Sequence, residues 1–431
     1  MRHFFPHWSS HFPQWFQDFE TLYAYKAQRH WAATYIQGLC SPAHRKSMQP
    51  LSELVAPGKA DCIQHFITDS QWKTEPLQRL LAKKADQLLG GERAVLIIDD
   101  TCLTKFGRHS VGVARQYSGQ VGKLTNCQCL VSLTLARDEI SVPVALRLFL
   151  PREWTEDLER CQKAKIPSAD QEFKPKWQLA LEELDQLKDL LTFGVVLADA
   201  AYGANAQFRH ELTLRGLKWS VGVPRTQKVY PKEVEILPLI APATGRPPKY
   251  PSASHGRETI EDVLARETWH HVVWRQGTKG PLMGRFAACY VCLADGQKNG
   301  YMCHLPGERA WIVGEDRGSE KKYYVCNLPE FTSLQVLVEV LKKRWACELS
   351  HRELKQEVGL SHFEGRFWYG LRHHAVLCIV ALLFLQTLRL KSDLDVPEQT
   401  VPAIRALVAE ALKLHSSCFR CSVRQIGCRD P

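Results

Sequence analysis

Ala94-Val95-Leu96-Ile97-Ile98-Asp99-Asp100-Thr101 sets five apolar β-formers against an abrupt pair of carboxylates. An unbroken apolar run of this length, without polar alternation, predicts a strand covered on both faces at the centre of a sheet. Carboxylates at the end of such a strand are costly unless they meet solvent, cations or partners. A second run, Phe193-Gly194-Val195-Val196-Leu197-Ala198, repeats the theme and ends in Asp199. Between the two, Gln128 to Leu135 and Val142 to Leu150 read as strands and Trp177 to Leu191 as an amphipathic helix. A further helix follows from about Ala204 to Leu214. The order strand, strand, strand, helix, strand, helix predicts an α/β fold. A helical crossover permits the first and fourth strands to lie side by side and parallel, which brings Asp99 and Asp199 together. Only one of Asp99 and Asp100 faces a given side of its strand, and the residues alone leave that choice open.

The third acidic candidate lies far downstream, in Arg344-Trp345-Ala346-Cys347-Glu348-Leu349-Ser350-His351-Arg352-Glu353-Leu354-Lys355. The spacing predicts one helix from Leu334 towards Gly359, with a capping box from Thr332 and Gln335 and a stop at Gly359. Leu337, Leu341, Trp345 and Leu349 recur every four positions and predict a buried stripe, with Trp345 in the core. Arg344, Glu348, Arg352 and Lys355 share the polar face. Such a face is either solvated and laced with ion pairs, or a metal-binding Glu flanked by cations that grip phosphates. Two strand-borne Asp and a helix-borne Glu are the hard oxygen donors that two-metal phosphoryl transfer requires. His351 and His362 read as satisfied polar residues.

The rest of the chain frames these runs. With 431 residues, two or three domains are expected, and the 45% hydrophobic and 24% charged fractions are those of a globular protein. The net charge of +10, from 56 Lys and Arg against 46 Asp and Glu, suits a polyanionic partner. Residues from Phe12 to about Leu89 read as short helices with a basic cluster at His44-Arg45-Lys46, and Gly90-Gly91 marks a boundary. The loop from Gly107 to Gly122 carries Arg115 and Ser118-Gly119, which read equally as a structural turn or as contacts for such a polyanion. From Lys228 to about Tyr324 the texture turns to β, with basic loops at Gly245 to Lys249 and at Trp274 to Gly280, the latter holding Arg275 and Lys279. Ala375 to Leu385 is too short an apolar run to span a bilayer and predicts a core helix. Fifteen scattered cysteines, with no apolar leader at the start, predict a reducing cytosolic setting. The spacing His415-x-x-Cys418-x-x-Cys421, with Cys428 beyond, is compressed for zinc, so the tail is read as a frayed terminus with free thiols.

Arg344, Glu348 and Lys355 match the R-x-x-x-E-x-x-x-x-x-x-K part of the Y-R-E-K signature of DDE transposases from bacterial insertion sequences. Together with Ile98-Asp99-Asp100-Thr101, Ser110 to Gly119, Asp199-Ala200-Ala201-Tyr202-Gly203 and the block Gly359 to Arg366, the chain resembles the insertion-sequence-701 branch from about Thr34 to Leu385. One position departs: the family's Tyr is Leu341 here.

The resemblance implies an RNase H-like catalytic core with a mostly β insertion, preceded by an all-helical N-terminal domain. The expected division is 1–90 (helical, DNA-binding), 91–227 (first part of the core), 228–327 (insertion), 328–390 (second part of the core) and 391–431 (tail). Asp99, Asp199 and Glu348 are the implied ligands of two Mg²⁺, with Mn²⁺ able to substitute, and alignment on Thr101 selects Asp99 over Asp100. Arg344, Lys355, Arg352, Arg115, Arg275 and Lys279 are the expected DNA contacts. The partners implied are double-stranded DNA, as terminal inverted repeats and target, and a second subunit on paired ends, at the nucleoid of a bacterial cytoplasm, with no membrane. The alternatives are a nuclease or inactive descendant with the same core, and a non-catalytic DNA-binding protein.

Overall fold

The computed structural model describes residues 8–119, 121–238, 251–277, 280–298, 301–391 and 400–410. The chain opens with helices α1 (Trp8–Glu20), α2 (Lys26–Cys40), α3 (Met48–Val55), α4 (Ala60–Thr68) and α5 (Thr74–Leu89). Strands β1 (Gly91–Thr104), β2 (Ala114–Ser118), β3 (Lys123–Arg137) and β4 (Ile140–Phe149) follow, then helices α6 (Arg152–Thr155), α7 (Leu158–Lys163) and α8 (Lys176–Leu187). Next come β5 (Phe193–Ala198), α9 (Ala200–Gly203), α10 (Ala206–Leu214), β6 (Trp219–Val223), β7 (Lys228–Pro231), β8 (Ile236–Leu237), β9 (Ser252–Ala253), β10 (Glu258–Thr259) and α11 (Ile260–Ala265). Strands β11 (His270–Gly277), β12 (Gly280–Leu293), β13 (Gly296–Lys298), β14 (Tyr301–Leu305), β15 (Arg309–Asp316) and β16 (Lys321–Cys326) lead to α12 (Leu334–Lys342), α13 (Trp345–Gln356) and α14 (Trp368–Lys391). The chain forms two compact units, one of residues 1–91, 100–192 and 346–431, the other of residues 92–99 and 193–345.

In the first unit, α14 is the core element. Its residues from Ala375 to Leu385 are all buried, and α2, α4, α5 and β4 pack against it. The aromatics that crowd α1 are spent on this contact: Phe12 meets Phe384 edge-on at 5.2 Å. Trp72 stacks on His373 at 3.7 Å, and the Tyr35 hydroxyl lies 2.8 Å from His374 Nδ1. Helices α1, α2, α4 and α5 thus share one core with α14. From Trp368 to Leu390, α14 is long and apolar enough to cross a membrane, longer than its apolar run alone indicated. Yet 83% of its most apolar window is buried inside the protein, as in a core helix. Strand β3 pairs antiparallel with β2 and with β4. The segment expected as a loop therefore contains a strand: Arg115 stands exposed opposite Asn126, and Ser118 is buried.

In the second unit, β5 runs parallel to β6, and β16, β15, β12, β7 and β10 extend the same sheet in antiparallel steps, with β11 also on β12. The β-rich stretch after Lys228 continues the sheet that carries Asp199. On the other side of β5 lies β1, whose residues Ala94 to Ile98 are fully buried.

The expected long helix is broken. α12 ends at Lys342 and α13 starts at Trp345. α12 buries Leu337, Val338 and Leu341, whereas α13 buries Ala346, Cys347, Ser350, His351 and Leu354. At 100° per residue those two stripes would fall on nearly opposite sides of one continuous helix, so the turn resets the phase. Trp345 and Leu349 consequently stay half-exposed, contrary to the core position expected for Trp345. The cap is Ser333, whose hydroxyl accepts from Val336 N–H at 3.4 Å, while Thr332 donates to the Pro329 carbonyl. The helix stops at Gln356, three residues short of the expected Gly359, which takes φ 76° and instead opens the short 3-10 turn Leu360–His362.

Candidate active site

Two strand ends build the second unit's acidic edge. Gly91 N–H donates to the Thr192 carbonyl at 2.9 Å, where the two strands begin. Gly194 lies so close to Glu92 that a Cβ would come within 2.2 Å of its carbonyl oxygen. With their starts side by side, β1 and β5 run in the same direction and deliver Asp99 and Asp199 at the same end of the sheet. Gly194 is there because this close approach excludes a side chain.

Asp99 is held by Arg344, whose Nη1 donates to Oδ2 at 2.6 Å, with side chains 14% and 27% exposed. The Arg of the R-x-x-x-E spacing thus meets the first Asp. Asp100 faces elsewhere, in an ion pair with Lys176 at the start of α8. Asp199 caps α9: its Oδ1 accepts from Ala201 N–H at 2.9 Å and Tyr202 N–H at 3.3 Å. The small residues after it have a packing cause, since a Cβ on Gly203 would meet the Gly222 carbonyl at 2.0 Å. Only glycine lets α9 lie this close to β6.

Glu348 belongs to the first unit, exposed in the first turn of α13 together with Arg352 one turn on. His351 is buried with its Nε2 at 2.8 Å from the Ser132 hydroxyl, a satisfied polar residue. Lys355 is half-buried rather than fully on the polar face. Burial holds its pKa below the usual lysine value, against the pull of the thiols of Cys102, Cys129 and Cys127. Arg275 sits in β11, beside the irregularity between Val273 and Arg275, not in a turn. Its guanidinium lies 4.3 Å from the centre of the Trp345 ring. Lys279, the Gly245 to Lys249 loop and the cysteine-bearing tail lie outside the described residues.

Among the described residues no three His, Cys, Asp or Glu side chains gather into a metal-holding group. The donor chemistry at the strand ends nonetheless fits a hard divalent cation: two carboxylates, one already charge-neutralised by a guanidinium and one oriented by backbone N–H groups. The cysteines whose side chains are described, from Cys40 to Cys292 and at Cys326, Cys347 and Cys378, are free thiols.

One feature escaped sequence reasoning. Lys176, Asp100 and the thiols of Cys102, Cys127 and Cys129 cluster in the first unit. Hydrogen bonding by Cys129 outweighs burial and brings the Cys102 thiol down to about 6. Burial works against the Lys176 ammonium, but Cys129 and Asp100 hold its pKa above the usual range. The alternation Cys127-x-Cys129 puts both thiols on one face of β3. Nothing in the sequence, however, ties them to a lysine in a distant helix.

The chain is similar to a curated protein named "Probable transposase for insertion sequence element IS701" from Microchaete diplosiphon. The two are 28% identical over 171 residues, 39% of this chain and 42% of the relative, so the match spans less than half of that protein. A family model described as "DDE superfamily endonuclease" matches residues 16–281, a span that includes Asp99 and Asp199 and ends before Glu348. A match over more than half of its length makes the chain a member of the DDE superfamily of endonucleases.

Proposed function

We propose that this protein is the DNA transposase of an insertion sequence, cutting the element from its flanks and joining its 3′ ends to target DNA. The observation that supports the reading is that β1 and β5 are neighbours whose starts lie side by side and that each run ends in an Asp, Asp99 and Asp199, inside the span matched by the endonuclease family. In this reading the core is RNase H-like, and Asp99, Asp199 and Glu348 hold two Mg²⁺. Bound there, the cations would activate the attacking oxygen and stabilise the leaving one. The protein's own groups do the rest. Asp199 is pre-oriented by its two N–H donors, so little reorganisation is needed to present an oxygen. Arg344 neutralises Asp99 and stands ready for a phosphate, and Arg352 extends the cationic face beside Glu348. Two element ends held by two subunits complete the assembly.

Asp199→Asn is the cleanest test, because Asn caps a helix as well as Asp does. The variant keeps the fold and loses only the charge. Strand cleavage and joining of a labelled terminal-repeat oligonucleotide should fall by at least about a thousandfold, while end binding persists. Glu348→Gln, at an exposed position, should behave alike. Cleavage by either variant at the wild-type rate in Mg²⁺ sinks the assignment. Cleavage by the wild type without joining would make the protein a nuclease instead.

A further inference from the structure

The strand that carries Asp99 runs on into a loop with an unusual side chain: Phe106 is fully exposed, at 104% of its reference area. The loop around it is fixed. Asn126 Nδ2 donates to the Lys105 carbonyl at 2.7 Å and to the Gly107 carbonyl at 2.9 Å. Arg160 donates to the Arg108 carbonyl at 3.1 Å, and the Lys105 ammonium is tied to the Phe363 carbonyl. Val111 N–H reaches the Arg366 carbonyl at 3.1 Å, which brings the Gly359 to Arg366 turn alongside. A phenyl ring held in water by a bonded loop is pre-organised rather than loose.

The surroundings say what it is for. Arg108, His109 and Arg366 are exposed on these two segments. The nearby carboxylates are engaged, Glu364 with Arg45 and Glu153 with Arg160, and among the described residues none pairs with Arg108 or Arg366. A positively charged face with an aromatic at its tip repels a second copy of itself but suits a polyanion with stackable rings.

We infer that Phe106 stacks on an unpaired nucleobase while Arg108 and Arg366 hold flanking phosphates, making this face a site for DNA at a junction of duplex and single strand. The inference rests on DNA being the substrate. It adds the requirement for an unpaired base.

The test is binding without Mg²⁺, by fluorescence anisotropy, of a blunt duplex and of the same duplex with a short single-stranded overhang. Phe106→Ala should weaken overhang binding about tenfold and blunt binding by less than about twofold, and Phe106→Trp should restore it. Arg108→Gln with Arg366→Gln should flatten the salt dependence on both probes by nearly 2 in slope. Equal losses on both probes, or none, for Phe106→Ala overturn the stacking role, and an unchanged slope overturns the phosphate role. A wild-type protein that binds neither probe refutes the DNA reading itself, a distinct result. All three positions are exposed, so melting curves should coincide with the wild type.

Discussion

Asp99 and Arg344 lie 245 positions apart and meet at 2.6 Å, both shielded from solvent. Removing the guanidinium takes away the main opposite charge from a poorly hydrated carboxylate, at a cost of about 1–2 kcal/mol, below that of a fully buried pair. A divalent cation at the strand ends would make good the loss. Arg344→Gln should therefore melt lower than the wild type without Mg²⁺, and gain more in melting temperature as Mg²⁺ is added. Equal Mg²⁺ responses of the two proteins would mean that Arg344 and the cation do not share a carboxylate. The carboxylates themselves were legible, because charge ending a run of β-formers stands out in one dimension. Their partners were not, since neither Arg344 nor Lys176 differs locally from any other helical cation.

Among elements, α14 shows how packing sets titration. His374 is buried between the Tyr35 hydroxyl on Nδ1 and the Leu360 carbonyl at 3.2 Å from Nε2, a pattern that the neutral ring satisfies completely. Burial pushes its pKa down to about 3. The unfolded chain thus binds the proton more readily than the folded one. The associated stability is complete above about pH 6.5 and is lost as pH falls through that value towards 3, about 5 kcal/mol in all. Unfolding by urea at a series of pH values should show this decline, and His374→Gln should flatten it. A parallel decline in the variant would assign the acid sensitivity elsewhere. The same logic explains which elements the sequence revealed. β5 and the buried run of β1 declared themselves by composition, and α14 by its apolar run. The break before α13 did not, because apolar spacing continues through Trp345 and Leu349 while the packing partner changes. β2 was hidden for the opposite reason, its exposed Arg115 and Tyr117 resembling loop residues.

Over the whole molecule, the division between units follows contacts rather than sequence order: β1 crosses it between Asp99 and Asp100, and the chain returns at residues 193 and 346. The stretch 228–327 reads in one dimension as a separable insertion, because its Pro, Gly and basic loops change the texture abruptly. Its last strand, β16, nevertheless pairs with β6, matching Tyr323 to Val223 and Cys326 to Ser220. Excising 228–327 would strip β6 of that partner and leave a row of unsatisfied N–H and C=O groups two strands from β1. Such an edge recruits other chains. The deletion protein should accumulate as aggregate and elute in the void volume of a sizing column. Were the full deletion monomeric and as heat-resistant as the intact chain, the insertion would be an appended domain, and the sheet through β6 would owe it nothing.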